Sequence, residues 1–108
     1  MVGYYLEKTF EIIDGLRRAK AADMVGYTTI IAHILDKESK VIETTGLSLD
    51  LLRSPYKNSI DVSHQRKMDR FMETLNQIKS GSIPPPIIVQ LGNRGLKIRD
   101  VDLDSIGE

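Results

Sequence analysis

Residues 10–26, FEIIDGLRRAKAADMVG, change from a strand pattern to a helix pattern within a few positions, and the fold class follows from that change. Aromatic and β-branched residues lead directly into Asp14-Gly15, which is typical of a strand at about 8–13 that ends in a sharp turn. Good helix formers follow, and Gly26 stands where a left-handed C-terminal cap is needed. The pattern predicts a strand that passes straight into a short helix ending near Val25.

Downstream of this turn the sequence predicts further strands and one short helix. The run YTTIIAHIL, from 27 to 35, is typical of a strand covered on both faces. A charged turn and a short edge strand around Val41 are expected between 36 and 45. Ser48 is a candidate N-cap for a short helix through Arg53.

The strongest helix pattern lies in the second half of the chain, where it begins near Asp61 or Ser63 and ends at Gly81. Its apolar face, at i, i+3, i+4, i+7 and i+10, consists of Met68, Phe71, Met72, Leu75 and Ile78. Prolines then forbid its continuation. Two apolar runs on either side of a Gly-rich turn predict a β-hairpin of Ile87–Val89 and Leu96–Ile98. The last eight residues are expected to form a frayed or docking tail.

The composition narrows the class of protein. The 108 residues are 41% apolar, which is enough for one compact domain and too short for two. Fifteen Lys and Arg balance fifteen Asp and Glu, so no overall basic field attracts long nucleic acids. With no cysteine there is no disulfide, thiolate metal site or cysteine nucleophile. No apolar run approaches the roughly 20 residues that span a bilayer, so no membrane partner is expected.

The Asp14-Gly15 turn is the segment with the clearest chemistry. The first N–H groups of a helix have no internal partner and lie at the positive end of the helix dipole, so an anion is favoured there. Gly15 allows a close approach, and the guanidinium groups of Arg17 and Arg18 can hold phosphate oxygens in two-point contacts. Because the two arginines are adjacent, we expect only one of them, Arg18, to face a ligand.

Two interpretations of Asp14 stay open. It is either the N-cap of the helix, which the frequency of Asp at caps favours, or a carboxylate beside the phosphate that orients a water, a metal ion or a ribose hydroxyl. The plainer interpretation of the whole motif is a routine Asp-Gly turn followed by a solvated arginine face.

His64 is, with Asp14, a candidate catalytic residue. It lies close to Asp61 and Ser63 at the expected start of the long helix, where a histidine can act as a general acid or base near neutral pH. The alternative is a capped amphipathic helix with a charged outer face. His33 lies inside an apolar run and is expected to be a core or edge residue. Two histidines without metal-ligand spacing predict no metal site.

Two other polar groups of residues have simpler interpretations. Asp69 and Glu73 share a face of the long helix and are expected to form surface ion pairs with Arg66 and Arg70. In the loop from 54 to 59, a tyrosine beside a lysine, Tyr56 and Lys57, has the arrangement that stacks on a base and contacts a phosphate.

Residues 10–36 resemble the second half of the core of the ParB/sulfiredoxin superfamily, in which a strand runs into a D-G-x-x-R or G-E-R-R-x-R-A turn and helix. The positions that match the second pattern are Gly15, Arg17, Arg18 and Ala21. Lys20 replaces the third arginine, and Leu16 stands where ParB has a glutamate associated with metal and hydrolysis. The resemblance implies that the turn holds nucleotide phosphates, as in the CTP site of ParB and the ATP site of sulfiredoxin.

The order of the segments departs from that family. There a helix and a G-x-I-x-P-P-I-x-V segment precede the turn, whereas here IKSGSIPPPIIV, residues 78–89, comes about sixty residues after it. The resemblance therefore implies a circular permutation, which costs little when the old termini lie close together on the surface. The alternative is a coincidental proline-rich loop before a strand. Residues 96–100 also resemble the strand that runs into the turn, and the sequence does not decide between them and the first strand.

In the permuted arrangement the start of the long helix would face the turn. His64, Arg66 or Arg70 would then point toward a substrate held by Gly15 and Arg18.

Together these patterns predict an α+β (α/β) fold, a small mixed sheet with one short phosphate-facing helix and one long amphipathic helix, in a single domain over residues 1–108. The resemblance implies an effector domain that recognises phosphate and acts on a nucleic acid or nucleotide, as a nuclease or a nucleotide-dependent transferase. The cofactor stays open, with a nucleotide and Mg²⁺ as the candidates. Its expected setting is the cytoplasm, either directly or as the C-terminal domain of a secreted bacterial toxin with an immunity protein. The alternatives are a non-enzymatic module that senses a nucleotide or binds DNA or a protein, and a structural domain whose turn binds nothing.

Overall fold

The computed structural model describes residues 8–55 and 59–104 of the chain. Within these ranges it has the predicted α+β fold, with two α-helices, a mixed sheet of six strands and a second sheet of two. Neither helix is long and apolar enough to cross a bilayer. The strands are β1 (Phe10–Asp14), β2 (Thr29–Leu35), β3 (Val41–Ser48), β4 (Leu52–Ser54), β5 (Ser59–Asp61), β6 (Ile87–Leu91), β7 (Leu96–Lys97) and β8 (Asp102–Asp104), and the helices are α1 (Leu16–Val25) and α2 (Gln65–Lys79).

The strand β6 lies inside the large sheet, whose order is β3-β2-β6-β1-β4-β7. It runs antiparallel to β1 and parallel to β2, so the strands that precede and follow α1 flank β6 and do not pair with each other. Near the start of β6, Ile88 pairs with Asp14 at the end of β1. The segment that precedes β6 therefore arrives beside the turn that follows β1.

Helix α1 lies between the large sheet and α2, and its small residues make this possible. Ala19 and Ala22 are fully buried in the core cluster of the large sheet. Ala21 is fully buried in a second cluster, together with Phe71 and Ile78 of α2. Alanine loses no rotamer freedom on burial, and its small side chain lets a helix approach both layers closely. The alanines that favour a helix thus also set its place in the fold.

The elements around α1 follow the prediction with one exception. Helix α1 ends at Val25, and Gly26 closes it in the left-handed conformation at φ 103°. Strand β2 alternates, with Ile30 buried and Ile31 42% exposed. The prediction that β2 is covered on both faces is therefore wrong, because α1 packs on the side of the sheet that contains Ile30.

The predicted edge strand and short helix are both present, with different lengths. Strand β3 lies at the edge of the sheet and is eight residues long, since it pairs with the whole of β2. Ser48 is a cap as predicted, because its hydroxyl accepts a hydrogen bond from the backbone N–H of Asp50 at 3.3 Å. The capped element is a single 3-10 turn over Leu49–Leu51 and does not reach Arg53, because Leu52 enters β4 and is fully buried beside β1.

The predicted β-hairpin of Ile87–Val89 and Leu96–Ile98 is wrong. Strand β6 pairs with β1 and β2, whereas β7 pairs with β4 at the far edge, and β1 is the strand that runs into the Gly15 turn. The buried carboxylate of Glu11 accepts hydrogen bonds from the guanidinium of Arg94 at 2.8 Å and from its backbone N–H at 2.9 Å. The hydrogen bond from the guanidinium contributes most, and the one from the backbone N–H next, to holding the pKa of Glu11 below its ordinary value. The fixed carboxylate turns the chain away from β6.

Helix α2 begins at Gln65, later than predicted, because the residues before it form β5 and pair with β8. The carboxylate of Asp61 accepts hydrogen bonds from the hydroxyl and the backbone N–H of Ser63, at 2.6 and 2.9 Å, and does not cap the helix. Of the two alternatives for the last eight residues, a docking tail is confirmed as far as Asp104, since Val101 is fully buried and β8 pairs with β5. Residues 105–108 lie outside the described ranges.

The apolar face of α2 is narrower than its sequence pattern. Phe71 and Ile78 are buried, but Met68 and Met72 are 37% and 43% exposed. The helix packs against α1 along the two buried positions, and the methionines lie at the margin of the contact.

Gly15 lies against the first residue of β6 in a left-handed conformation at φ 109°. A Cβ atom at this position would lie 2.7 Å from the Cβ of Ile87 and 3.2 Å from its Cα, so the strand itself would have to move. Gly26 has nearly the same conformation, at φ 103°, but nothing lies within 4 Å of an added Cβ. Comparing the same substitution at Gly15 and at Gly26 therefore separates the conformational cost of an added side chain from its steric cost.

We expect Gly26→Ala to lower the free energy of unfolding by about 1–2 kcal/mol, the cost of a left-handed L-residue. Gly15→Ala carries the same cost and adds overpacking against Ile87, typically about 1–3 kcal/mol more. Urea unfolding followed by circular dichroism measures both losses. Equal losses for the two variants would contradict the close packing of Gly15 on β6.

Candidate functional site

A cavity of about 670 Å³ lies where the Gly15 turn, α2 and the segment before β6 meet. Its first wall is the end of β1 and the start of α1, and its second is one face of α2. The segment from Ser82 to Pro85 forms the third. Small-molecule sites occupy about 300–1,000 Å³. The predicted phosphate turn therefore opens onto a space the size of a ligand.

The residues at the start of α1 line this cavity and have backbone N–H groups without partners. The first internal hydrogen bond of the helix runs from the N–H of Ala19 to the carbonyl of Gly15, at 3.0 Å. Gly15 is the N-cap residue, and no side chain caps the helix. Over the described ranges, the N–H groups of Leu16, Arg17 and Arg18 thus have no hydrogen-bond partner. They lie at the positive end of the helix dipole.

Asp14 is not the N-cap of α1. It is the last residue of β1, and the left-handed Gly15 takes the cap position instead. The Asp14 side chain is 68% exposed and lines the cavity. Its Oδ2 accepts a hydrogen bond from Nη2 of Arg18 at 3.3 Å. The cap interpretation is therefore wrong, and Asp14 has the position that the alternative interpretation requires, a carboxylate at the cavity beside the start of α1.

Arg17 and Arg18 both line the cavity, so which of them faces a ligand depends on the bonds that each already makes. Residues 12 to 18 all line the cavity, which therefore wraps around the N-terminal end of α1. Arg18 is committed to protein acceptors, since its Nη1 donates to the carbonyls of Pro85 at 3.1 Å and Pro86 at 2.9 Å. Arg17 is exposed, and its guanidinium has no partner in the part of the chain that the structure describes.

Helix α2 supplies a further arginine from the opposite wall. Arg70 is exposed, lines the cavity and has no side-chain partner among the described residues. His64 and Arg66, the other residues that the permuted arrangement would point toward a substrate, do not line it. The cavity therefore has cationic side chains on two walls.

Asp61 is a lining residue that the sequence did not single out for this site. Its carboxylate pairs with Nζ of Lys67 and accepts the two hydrogen bonds from Ser63. Lys67 contributes most, and Ser63 next, to holding the pKa of Asp61 well below its ordinary value. Asp61 is ionised at neutral pH, but its charge is already balanced by Lys67.

The charged residues that line the cavity are three arginines and three carboxylates, so their formal charges cancel. Two of the carboxylates are already paired, Asp14 with Arg18 at 3.3 Å and Asp61 with Lys67, which lies outside the lining. The lining residues outside these pairs are Arg17, Arg70 and Glu73. Guanidinium groups that are not already paired are what a phosphate site needs in a domain without net charge.

His64 is exposed and is the N-cap residue of α2, without a side-chain cap bond. Its Nδ1 lies 3.3 Å from the hydroxyl of Ser63. That hydroxyl donates a hydrogen bond to the Asp61 carboxylate at 2.6 Å. Its hydrogen is therefore not directed at His64, as it would be if Ser63 were a nucleophile with His64 as its base. The structure does not bring His64 to the Gly15 turn.

Lys20, at the third arginine position of the family pattern, has a structural role. It is only 9% exposed, and its Nζ donates to the carbonyls of Ile98 at 3.3 Å and Arg99 at 3.4 Å. These bonds anchor the 3-10 turn before β8 to α1. Lys20 is not among the residues that line the cavity.

The ion pairs expected of Asp69 and Glu73 are not formed. Asp69 accepts a hydrogen bond from the amide of Gln65 at 2.8 Å, and Glu73 lines the cavity. The amide of Gln65 reaches Asp69 from four residues away, whereas Arg66 and Arg70 are each three residues from their expected partners.

Other predicted residues lie elsewhere in the molecule. His33 is half-buried on β2, with Nδ1 2.7 Å from the hydroxyl of Thr44, which agrees with a sheet histidine that has one satisfied nitrogen. Tyr56 and Lys57 lie outside the described residues. The described ranges contain no group of three or more acidic or histidine side chains placed to hold a metal ion.

The permuted arrangement pointed to Arg70, but sequence reasoning did not place the rest of its helix face at the cavity. Arg70, Glu73, Thr74 and Gln77 follow the i, i+3, i+4, i+7 spacing, so they lie on one helix face. The spacing was visible in the sequence, but nothing local shows that this face points at a turn more than fifty residues earlier in the chain.

The structure places the proline-rich segment beside the turn, although about sixty residues separate them in the chain. Arg18 binds two of its carbonyls, and Gly15 packs on Ile87. A permuted ParB/sulfiredoxin-like core needs this juxtaposition, and the kinship itself stays a prediction. No family model, curated protein or solved structure matches the chain.

Proposed function

We propose that this domain recognises a phosphate group of a nucleotide or nucleic acid in the cavity at the start of α1. The observation that carries the proposal is the meeting of two independent anion-binding features in one space. The unpartnered N–H groups at the start of α1 lie on one wall, and Arg70 reaches the same cavity from α2.

The physical case rests on the sum of these groups. An anion at a helix N-terminus gains about 0.3–1 kcal/mol at an exposed site, which is too little to hold a ligand alone. Hydrogen bonds to charged groups contribute about 1.5–3 kcal/mol each. Arg17 and Arg70 are both available for such bonds, because neither guanidinium has a partner in the described ranges.

The size of the cavity favours an organic phosphate over a free anion. The volume of about 670 Å³ exceeds what a single phosphate group fills, and its apolar lining includes Ile13, Ile83 and Pro84. A nucleotide matches both properties, because a flat, weakly polar base accompanies its phosphates. The resemblance of the turn to the ParB/sulfiredoxin superfamily supports the same ligand class.

Binding is tested by thermal unfolding with CTP, ATP, ADP and short oligonucleotides. A ligand at 100 times its dissociation constant adds about 2.7 kcal/mol to the free energy of unfolding, and each kcal/mol raises the midpoint by about 4–8 °C in a domain of this size. We expect Arg17→Ala and Arg70→Ala each to weaken binding about tenfold or more, because each removes charged hydrogen bonds.

Arg66→Ala is the matched control, because it removes the same charge from an exposed position on α2 outside the cavity. It should leave the ligand-induced shift unchanged. Equal effects of Arg66→Ala and Arg70→Ala would show a general charge effect and refute this site, and no shift with any ligand would refute the proposal.

A second candidate function, phosphoryl transfer or nucleic-acid cleavage, is favoured by carboxylates at the same cavity. Asp14 and Glu73 line it, and Glu73 has no ionic partner among the described residues. One or two carboxylates together with substrate phosphates are the usual ligands of Mg²⁺ in phosphoryl-transfer sites. A domain with this activity would suit an effector toxin held by an immunity protein, whereas binding without turnover would suit a sensing module.

Cleavage is tested by incubating the domain with tRNA, plasmid DNA and nucleotides in the presence of Mg²⁺. We expect Asp14→Asn and Glu73→Gln to lower any turnover at least about tenfold, a loss of roughly 1.4 kcal/mol of transition-state stabilisation. His64→Ala is expected to keep it, since His64 lies outside the cavity lining. Turnover that depends on His64 and is indifferent to Asp14 would contradict this assignment.

A further inference from the structure

The segment of residues 82–86, here called the proline strap, connects α2 to β6 and forms one wall of the cavity. The N–H of Ser82 still donates to the carbonyl of Gln77 at 3.0 Å, but the three prolines have no N–H to donate. Sheet pairing begins only at Ile87. Between these two points the strap depends on other groups to fix its position.

Arg18 provides that support. Its Nη1 donates to the carbonyls of Pro85 and Pro86, at 3.1 and 2.9 Å, and its Nη2 donates to Asp14 at 3.3 Å. Its side chain is only 24% exposed. One guanidinium thus joins the strap to the end of β1, a geometry that a planar five-donor fork achieves and a lysine does not.

The same bonds argue against Arg18 as the main phosphate ligand. Three of its donor contacts are already made to protein oxygens, and one of those oxygens belongs to the carboxylate of Asp14. A phosphate that approached this guanidinium would meet the negative charge of Asp14. Arg17 and Arg70 offer the same chemistry without that repulsion.

The strap exposes a large apolar side chain at the cavity. Ile83 lines the cavity and is 82% exposed, the largest exposure among the apolar residues of the described ranges. Pro84 and Pro85 lie beside it in the same wall. An apolar wall next to a cationic corner fits a ligand that has an apolar part attached to its phosphate.

We infer that Arg18 is a positioning residue, which holds the proline strap so that Ile83 and its neighbouring prolines contact the part of the ligand beyond the phosphate. The inference rests on the proposed function. It assigns phosphate binding to Arg17, Arg70 and the α1 N–H groups, and it assigns the choice of the organic group to the strap.

Two probes separate these roles by isothermal titration calorimetry. Tripolyphosphate presents phosphate alone, whereas ATP and CTP present phosphate with a base. We expect Ile83→Ala to weaken nucleotide binding by about tenfold, the scale of one lost apolar contact, and to leave tripolyphosphate binding within about twofold. Arg18→Ala should weaken nucleotide binding about tenfold more than tripolyphosphate binding, because the Asp14 carboxylate that it leaves unpaired repels both probes. Arg17→Ala should weaken both kinds of probe to a similar extent.

A double-mutant cycle tests whether Arg18 acts through the strap. If it does, the Arg18→Ala/Ile83→Ala protein binds nucleotides about as well as Arg18→Ala alone, because the first substitution already removes the wall that Ile83 forms. Arg18→Lys should behave like Arg18→Ala, since an ammonium cannot bridge the three acceptors. Ile42→Ala is the control for losing an exposed apolar side chain, because Ile42 is 64% exposed on β3 and does not line the cavity.

An equal loss of tripolyphosphate and nucleotide binding in Arg18→Ala would overturn the inference and make Arg18 a direct phosphate ligand. Unchanged nucleotide binding in Ile83→Ala would also overturn it, and this variant keeps the test decisive should Arg18→Ala fail to fold, because Ile83 lies at the surface. If the wild-type domain binds tripolyphosphate through Arg17 but binds nucleotides no better, the inference fails and the proposed function stands. If it binds neither probe, both fail.

Discussion

The close packing of Gly15 on Ile87 is the contact on which the rest of the arrangement depends. It joins the turn after β1 to the first residue of β6, and only a glycine in a left-handed conformation fits there. Because β6 is inserted between β1 and β2, α1 must cross over it to connect those strands. The turn, the strap before β6 and the start of α1 are thereby fixed side by side.

This constraint also explains why the cavity is where it is. The strap reaches β6 from the C-terminal end of α2, so the helix that packs on α1 also forms a wall beside the turn. Arg18 joins the strap to the end of β1 across the gap. The features proposed to bind phosphate thus result from the same packing that closes the core, in which Gly15 has a structural role.

Sequence patterns within a few residues predicted those elements whose bounds depend only on neighbouring residues. The bounds of α1 and its Gly26 cap follow from helix propensity and left-handed glycine, both of which act within a few residues. The hairpin failed because a contact between Glu11 and Arg94 decides the path after β6, and no local pattern shows a contact across 83 positions. The predicted start of α2 is too early for a similar reason, since the residues that precede the helix include β5, which pairs with β8.

The candidate site divides in the same way. Gly15, Arg17 and Arg18 came from one short motif and lie together at one cavity. The position of Arg70 depends on the packing of α2 against α1, which helix spacing alone does not reveal. Asp14 was expected at the cap because Asp is common there, but the left-handed turn moves the cap one residue on, to Gly15. The sequence neighbours of His64 predicted a catalytic histidine, but His64 does not line the cavity.

If phosphate binds to the free N–H groups at the start of α1, a ¹H–¹⁵N NMR titration with tripolyphosphate detects the binding at those groups. We expect the amide signals of Leu16, Arg17 and Arg18 to show the largest saturable shifts. Unchanged signals at these three residues, with the largest shifts in the turn that contains Asn93 and Arg94, would contradict this binding site.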